Sequence, residues 1–151
     1  MTQIYNEGLA DRVGTFETRP RSEDDVSAWF DGVHPIVVVT AEDERIVAFA
    51  STSTYRTRDC YAGIAEFSVY VSRAERGRGA GRVAMEALMA AAAKAGFSKL
   101  VSRIFIENTA SRTLMARVGF REVGIYEKHG KLDGVWRDVV IVERVIPENL
   151  S

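Results

Sequence analysis

Residues Ile64 to Val71, IAEFSVYV, and the glycine-rich segment Arg76 to Gly81, RGRGAG, decide the fold of this chain. Every second residue of the first segment is apolar, which is typical of a strand with one buried face. The alternation places Glu66 beside Ser68 on the opposite face. The apolar face is formed by Ala65, Phe67, Val69 and Val71.

The glycine-rich segment leads into a predicted helix. Apolar residues recur there at the i, i+3, i+4, i+7 spacing of an amphipathic helix, which we expect to end near Gly96. Leu100 to Ile106 is again β-branched and apolar, so a second strand follows. Strand, helix and strand form a crossover unit, and its two strands should be parallel with a right-handed connection. The helical stripe comprises Ala80, Val83, Ala84, Ala87, Leu88 and Ala91.

Upstream of this unit, the sequence predicts a helix and a β-hairpin. Ser22 and Asp25 form a variant of the capping box, which predicts a helix from about Glu23 to Asp31. The β-branched run Ile36 to Thr40, an acidic turn and the strand-like segment Arg45 to Tyr55 predict two antiparallel strands.

Downstream of the unit, the sequence predicts a short helix and two further strands. Asn108 caps the helix, and Gly119 occupies the usual stop position. The strands are predicted at about Glu122 to Lys128 and Val135 to Val145, joined by a loop that contains Asp133-Gly134. The complete pattern predicts a single α/β domain over residues 1–151, of the mixed α+β kind, with a central mixed sheet flanked by helices.

Length, charge and cysteine content exclude several classes of protein. A chain of 151 residues with 46% hydrophobic residues matches one globular domain. The 20 Lys and Arg residues against 21 Asp and Glu residues give a formal charge of -1, which argues against a nucleic-acid partner. No apolar run approaches the roughly 18 residues of a membrane span, so we expect no membrane partner. The lone Cys60 favours a reducing compartment, and we expect a cytoplasmic protein.

The segment Arg76-Gly-Arg-Gly-Ala-Gly81 is suited to binding an anion, because backbone N–H groups and the positive end of a helix converge between a strand and a helix. Arg82 replaces the third glycine of a dinucleotide fingerprint, and the Gly-Lys-Ser/Thr of a P-loop is absent, so both motifs are disfavoured. What remains is an Arg-x-x-Gly-x-Gly pattern that fits a diphosphate. A glycine-rich turn with solvated arginines is the alternative.

These segments resemble the GNAT superfamily of acyl-CoA-dependent N-acyltransferases. Arg76 to Gly81 matches the acetyl-CoA signature of that family, and Val69-Tyr70-Val71 is similar to the strand that holds the pantetheine arm. Asn108 to Phe120 is similar to its asparagine-to-glycine-phenylalanine helix. A narrower resemblance, to the phosphinothricin and arsinothricin acetyltransferase branch, is carried by Ala65 to Val71, Thr15-Phe16, and the series Lys131, Gly134, Trp136 and Asp138.

The resemblance implies that acetyl-CoA is the co-substrate and that no metal takes part. Backbone N–H groups along the pantetheine strand would receive the pantetheine carbonyls and the thioester oxygen. Asn108 would hydrogen-bond the pantetheine or order a water, and its alternative role as a helix cap is compatible with this. The residues expected at the cofactor are Val69, Tyr70 and Val71 on the strand, and Arg76, Gly77, Arg78, Gly79, Ala80, Gly81 and Arg82 at the diphosphate.

Glu66 is the catalytic base that the resemblance implies, removing a proton from the acceptor's ammonium group directly or through water. By spacing alone, a solvated strand glutamate is the alternative. Arg56 and Arg58, in the loop before the Glu66 strand, are candidates for binding an anionic substrate, because guanidinium groups form bidentate bonds to carboxylates and phosphinates. An exposed charged loop is the alternative. Phe16 is a candidate apolar wall of the substrate site, or a core residue.

Other residues depart from the family pattern or receive no firm role. The family opens with a strand and most of a first helix before the segment that begins here at Ile4, so we expect a sheet without its first strand. Many relatives place a tyrosine general acid where this chain has Met115, which leaves the thiolate without an assigned proton donor. His34 and His129 lie far apart and lack a paired carboxylate motif, so no metal site is predicted. His129 is either an acid or base in the last hairpin or a surface imidazole.

The resemblance therefore implies an N-acetyltransferase that modifies the α-amino group of arsinothricin or phosphinothricin and confers resistance to it. Two alternatives stay open: a GNAT enzyme with another small amine or a protein as acceptor, and a non-catalytic acyl-CoA-binding sensor. The small-molecule partner is expected to be an anionic amino acid. Relatives are commonly homodimers, so we expect a homodimer in which the apolar final strands contribute to the interface.

Overall fold

A computed structural model describes residues 1–151 as a six-stranded sheet with four α-helices. Short 3₁₀ turns lie at Asp59–Tyr61, Arg73–Glu75 and Pro147–Asn149. The helices are α1 (Thr2–Ala10), α2 (Glu23–Ser27), α3 (Ala80–Lys94) and α4 (Thr109–Arg117). The strands are β1 (Ile36–Thr40), β2 (Ile46–Thr54), β3 (Ile64–Val71), β4 (Lys99–Phe105), β5 (Arg121–Leu132) and β6 (Val135–Val145).

The strands are ordered β1-β2-β3-β4-β6-β5. Only β3 and β4 are parallel, and every other neighbouring pair is antiparallel. The predicted hairpin, the parallel crossover through α3 and the predicted mixed sheet are therefore confirmed. No strand precedes β1, as expected of a sheet without the family's opening strand.

β3 and β4 pair only over the first residues of each strand and then separate. Their pairing runs only from Ile64 opposite Lys99 to Glu66 opposite Val101, although β3 continues to Val71 and β4 to Phe105. At the start of the separation, the Ser102 hydroxyl donates to the Phe67 carbonyl at 2.8 Å. The sheet consequently has a gap at its centre, which we call the central gap.

The direction of the β3 backbone groups follows from its pairing with β2. The N–H of Ser72 donates to the carbonyl of Val47 at 2.7 Å, on the β2 side. Because backbone groups of successive strand residues point to opposite edges, the N–H groups of Val69 and Val71 point toward the central gap. Tyr70 directs its N–H toward β2 instead.

Hydrophobic side chains are buried on both faces of the sheet. On one face, α3 and α4 cover the larger core, in which Ala84 and Leu88 of the predicted helical stripe are fully buried. Met85, which was not predicted in the stripe, is also fully buried, whereas Val83 and Ala87 of the stripe are exposed because the buried face of α3 is turned away from them. On the other face, α1 covers a smaller cluster of Ile4, Tyr5, Leu9, Phe49 and Tyr70.

The N-terminal part of the chain differs from the sequence prediction. Residues 2–10 form α1, which was not predicted, because the helix has no capping side chain and only Ile4, Tyr5, Gly8 and Leu9 are buried. The predicted helix to Asp31 ends at Ser27. The Asp31 carboxylate accepts hydrogen bonds from the backbone N–H groups of Val33 and His34, both at 2.8 Å, and this local turn replaces further helix.

The strand predicted to end near Lys128 continues to Leu132. A bulge between Tyr126 and Gly130 allows this extension. Lys128 adopts a positive φ of 47° there, and its N–H donates to the Asp138 carboxylate at 2.7 Å. The side chain from β6 therefore satisfies a backbone donor that the irregular pairing leaves free.

Candidate active site

A cavity of about 810 Å³ occupies the central gap. Residues from both faces of the sheet line this cavity. The α1 face contributes residues of β2, β3 and β4 and the loop 13–17, and the opposite face contributes α4. Its polar and aromatic lining includes Phe16, Ser51, Ser53, Glu66, Ser68, Arg103, Phe105, Asn108 and Ser111, with Met115 among its apolar residues.

Glu66 borders this cavity at the point where the two parallel strands separate. Its carboxylate Oε1 accepts a hydrogen bond from Nη2 of Arg103 at 2.8 Å, and its side chain is 27% exposed. Ser53 lies opposite Glu66 on β2, and Ser51 lies opposite Ser68. Glu66 and Ser68 thus share one face, as predicted, together with two further hydroxyl groups.

Arg103 is a site residue that the sequence analysis did not identify. Besides its bond to Glu66, its Nη1 lies 3.3 Å from Nε2 of His129, so the guanidinium bridges β3 and the last hairpin. The imidazole of His129 also packs against the Tyr126 ring, with centroids 4.8 Å apart. The signal in the sequence is a single basic residue within the otherwise apolar or uncharged run LVSRIF of β4.

Phe16 forms an aromatic wall of the cavity. Its ring meets Phe105 edge to face, with centroids 5.0 Å apart at 85°. A Cβ added at Gly130 would lie 2.9 Å from Cε1 of Phe16, so the absence of a side chain at Gly130 makes room for this ring. The structure therefore brings Phe16 to the same cavity as Glu66 while it packs on a small apolar cluster.

Arg56 and Arg58 lie outside the cavity, contrary to the expectation that they border a substrate site. The guanidinium of Arg56 lies 4.2 Å from the centroid of the Tyr55 ring, and its Nη1 donates to the Tyr55 carbonyl at 2.8 Å. The loop is exposed, so its charges are solvated. The basic group at the cavity comes from Arg103 instead.

The glycine-rich segment forms an open backbone cradle at the start of α3. Gly77 and Gly79 have φ values of 79° and 87°, and a Cβ at either would meet nothing within 4 Å. Gly79 is the N-cap of α3 and provides no capping side chain, so N–H groups of the first turn are available to a ligand. Gly81 lies close to β3 and α4, since its Cβ would be 3.2 Å from Leu114.

The arginines of this segment already have carboxylate partners. Arg76 bonds Asp11 at 2.7 Å, Arg78 lies 3.6 Å from Glu75, and Arg82 bonds Glu86 at 2.9 Å. Hydrogen bonds from Arg73 and then Arg76 lower the pKa of Asp11 to about 2. The expected free arginine side chains are therefore engaged in ion pairs, and the backbone supplies the unpaired donors of the cradle.

Tyr70 lies within the predicted pantetheine strand, but its side chain belongs to the core under α1. Its ring stacks on Phe49 with centroids 5.5 Å apart and meets Tyr5 at 5.0 Å. Burial raises the pKa of its hydroxyl. The unpaired backbone donors of the strand are those of Val69 and Val71, which face the central gap.

Asn108 is the N-cap of α4, as predicted. Its Oδ1 accepts from the Ser111 N–H at 3.1 Å, and its Nδ2 donates to the Val13 carbonyl at 2.9 Å. The side chain thus ties the loop over the cavity to α4, and it also borders the cavity. Met115, in the second turn of the same helix, is 1% exposed at the cavity wall.

There is no cluster of His, Cys, Asp and Glu side chains arranged to hold a metal ion. None of the helices combines the length and apolar character needed to cross a lipid bilayer.

Residues 1–120 match the sequence profile of the acetyltransferase (GNAT) family. The chain belongs to the GNAT acetyltransferase family. This acetyltransferase is 34% identical over 150 residues to a phosphinothricin N-acetyltransferase of Streptomyces coelicolor, covering 95% of this chain and 88% of that protein. It is 29% identical over 144 residues to an L-methionine sulfoximine/L-methionine sulfone acetyltransferase of Pseudomonas paraeruginosa, covering 93% and 84% of the two chains.

A solved structure gives the same result for the fold. A phosphinothricin acetyltransferase from Sinorhizobium meliloti, in complex with acetyl-CoA, superimposes with a TM-score of 0.89 at 28% identity, covering 96% of this acetyltransferase and 80% of that chain. The GNAT acetyltransferase is an N-acetyltransferase with acetyl-CoA as co-substrate. The backbone cradle at Gly77 and Gly79 and the backbone donors at the central gap have the chemistry that a diphosphate and a pantetheine amide require.

Proposed function

We propose that this acetyltransferase acetylates the α-amino group of a small anionic amino acid of the phosphinothricin and arsinothricin class. The observation that carries the proposal is Glu66, a carboxylate at the point where the sheet opens, with the cationic Arg103 in direct contact. Relatives named for phosphinothricin and for methionine sulfoximine support this substrate class. Acetylation removes the ammonium charge of such an inhibitor, and resistance follows.

Each residue around the central gap has a separate role in the proposed reaction. Acetyl-CoA, when bound, supplies the thioester whose acetyl carbon forms the new C–N bond as its C–S bond breaks. Glu66 accepts the first proton that the ammonium group loses, directly or through water, and the second proton, released from nitrogen after the C–N bond forms, neutralises the thiolate through solvent. The N–H of Val69 stabilises the developing oxyanion and that of Val71 binds the pantetheine. Met115 has no proton to donate, so the thiolate leaves without help from that position.

The remaining site residues hold the two substrates. The cradle binds the diphosphate through backbone N–H groups, so that the whole segment from Arg76 to Arg82 participates, including Arg78, which is 72% exposed. Asn108 shapes the pantetheine path by fixing the start of α4. Tyr70 supports the strand from the core. Arg56 and Arg58 assist only by making the approach to the site basic.

The polar lining of the cavity matches the head group of the proposed acceptor. The hydroxyl groups of Ser51, Ser53 and Ser68 make no hydrogen bond within the protein and can donate to the oxygens of a phosphinate, arsinate or sulfone. Phe16 offers an apolar surface to the methyl group or methylene chain of the substrate. A polyamine has no group that would use these donors.

The assay that tests this function measures acetyl-CoA-dependent thiol release. Arsinothricin, phosphinothricin, methionine sulfone, spermidine and a short peptide serve as acceptors under identical conditions. Turnover of the first two, with methionine sulfone also accepted or not, and no turnover of spermidine or the peptide is the expected result. Turnover of spermidine or the peptide alone would assign another acceptor, and acetyl-CoA binding without any turnover would identify a sensor.

Assembly and location complete the proposal. Residues 1–151 act as one domain, which the continuous six-stranded sheet supports. A homodimer forms through the β5–β6 hairpin, which carries exposed apolar residues on both of its faces; we call these residues the hairpin patch. The reaction takes place in the cytoplasm, where acetyl-CoA is available and an exposed free Cys60 stays reduced. The hairpin patch comprises Val123, Ile125, Tyr126, Val135 and Trp136, each about half exposed.

A further inference from the structure

We propose that Arg103 binds the α-carboxylate of the acceptor, so that Glu66 and Arg103 together recognise the zwitterionic head of a free amino acid. The inference rests on the proposed function and names the residue that makes it specific for amino acids. It gives a role to a charged residue of the cavity that the transfer chemistry does not use.

The hydrogen bonds of Arg103 leave part of its guanidinium free. Nη2 donates to Glu66 at 2.8 Å, and Nη1 lies 3.3 Å from Nε2 of His129. A guanidinium has five N–H donors, so the Nε–H and one hydrogen on each terminal nitrogen remain. The side chain is 47% exposed and borders the cavity, and a ligand there can reach these donors.

The charges of Glu66 and Arg103 are complementary to the two charges of the acceptor. A free amino acid carries its ammonium and carboxylate groups on one carbon, so its binding site needs an anion next to a cation. Glu66 on β3 and Arg103 on β4 provide such a pair in direct contact, on the same face of the sheet. An ammonium group that reaches Glu66 consequently brings its carboxylate to Arg103, where a bidentate bond is available.

His129 holds Nη1 of Arg103, the terminal nitrogen that does not bond Glu66. Its ring nitrogen faces Arg103, and its ring packs on Tyr126 of the same hairpin. The guanidinium is thereby held between two strands that do not pair with each other. A lysine at this position would keep the charge but could not hold both neighbours, so Arg103→Lys should restore only part of the recognition.

The test compares phosphinothricin with its decarboxylated amine, which keeps the phosphinate and loses only the α-carboxylate. In Arg103→Gln, we expect kcat/KM for phosphinothricin to fall roughly 10- to 100-fold, mainly through KM, as for loss of a charged hydrogen bond. The value for the decarboxylated amine and the KM for acetyl-CoA should stay unchanged. Arg103→Lys should lie between the wild type and Arg103→Gln.

Arg137→Gln is the matched control, because Arg137 lies 4.3 Å over the Phe105 ring and pairs with Glu107 without bordering the cavity. It should leave both acceptors unaffected. An equal loss for both acceptors in Arg103→Gln would overturn the inference and assign Arg103 to the phosphinate or to the support of Glu66. A wild type without activity on any amino acid would overturn the proposed function itself.

Discussion

Glu66 occupies the one position of β3 where a side chain is next to both a paired strand and the central gap. Val101 is its last partner on β4, and the next residue on its face, Ser68, already borders the opening. A base placed here stands beside the backbone donors of Val69 without depending on a mobile loop. Its position therefore follows from the strand separation.

Glu66→Gln should separate binding from turnover. The amide keeps the size of the side chain but accepts no proton, so we expect kcat to fall about 10²- to 10⁴-fold near neutral pH. The KM for acetyl-CoA should not change. Steady-state thiol release measures both constants, and calorimetric binding of acetyl-CoA is the control. Full activity of this variant would remove Glu66 from the mechanism.

Gly79→Ala should weaken cofactor binding through the backbone. Gly79 has a φ of 87°, and a Cβ there costs about 1–2 kcal/mol of stability and disturbs the cradle. Gly96 has a φ of 93° at the other end of α3, so Gly96→Ala is the matched control. Both variants should lose similar stability in urea denaturation, and only Gly79→Ala should raise the KM for acetyl-CoA. Equal KM values in the two variants would argue against the cradle.

A candidate site residue is predictable from the sequence when its position follows from a pattern within one strand, and not when it follows from a contact between distant strands. Alternation along one strand predicts the face on which Glu66 lies, whereas its role as a base was implied only by the resemblance to the family. Arg103 was not predicted, since its role depends on the contact between two strands that lie 37 positions apart in the chain. The basic loop of Arg56 and Arg58 suggested an anion site, but its guanidinium groups stay with Tyr55 and solvent.

At the scale of elements, α4 is anchored by the side chain that begins it. Asn108→Ala removes both the cap on Ser111 and the bond to Val13. We expect a loss of about 0.5–2 kcal/mol, or about 2–4 °C in Tm per kcal/mol for a chain of this size. Asn108→Asp keeps the cap acceptor and loses only the Val13 bond, so thermal denaturation should show a smaller loss. If the two variants are equally destabilised, the Val13 bond is the one that matters.

Helix α1 is attached to the start of the cradle by Asp11. Because Arg73 and Arg76 lower the pKa of its carboxyl to about 2, this ion pair stabilises the fold fully above the ordinary pKa of about 4, and the contribution is lost as the pH falls toward 2. The difference in unfolding free energy between the wild type and Asp11→Asn should therefore shrink between pH 5 and pH 2. Denaturant titrations measure it, and a constant difference would contradict the linkage.

Sequence patterns predicted the elements in which apolar or β-branched residues recur without interruption. α3 was predictable from its apolar stripe, and β3 and β6 from alternation or β-branched runs. α1 was missed because its short buried stripe is diluted by polar residues and its N-terminus has no capping side chain. The extension of β5 was missed because it depends on the Asp138 carboxylate from the neighbouring strand.

At the scale of the whole molecule, the proposed homodimer assigns the association of two copies of the chain to the hairpin patch. β5 is an edge strand, and the patch on its hairpin carries apolar side chains that are about half exposed. The order of the strands was not predictable from local patterns, because β6 inserts between β4 and β5. This insertion places the last hairpin next to β4, so that His129 reaches Arg103.

Ile125→Glu should dissociate the proposed homodimer. A charge within the hairpin patch disfavours burial of this surface in an interface. Val83→Glu, on the exposed side of α3, replaces an equally exposed apolar residue outside the patch and serves as control. Gel filtration at two protein concentrations should give a dimer for the wild type and the control and a monomer for Ile125→Glu. A monomeric wild type would refute the assembly.

The separation of β3 and β4 also bears on how such an enzyme can diversify. In the proposed function, the cofactor is received by main-chain N–H groups, which every amino acid except proline provides at positions 69 and 71, so most substitutions there leave those donors in place as long as the strand persists. The proposed acceptor would be received by side chains, among them Glu66, Arg103 and the serines of the cavity. Mutation can therefore exchange one acceptor for another while acetyl-CoA recognition is inherited unchanged.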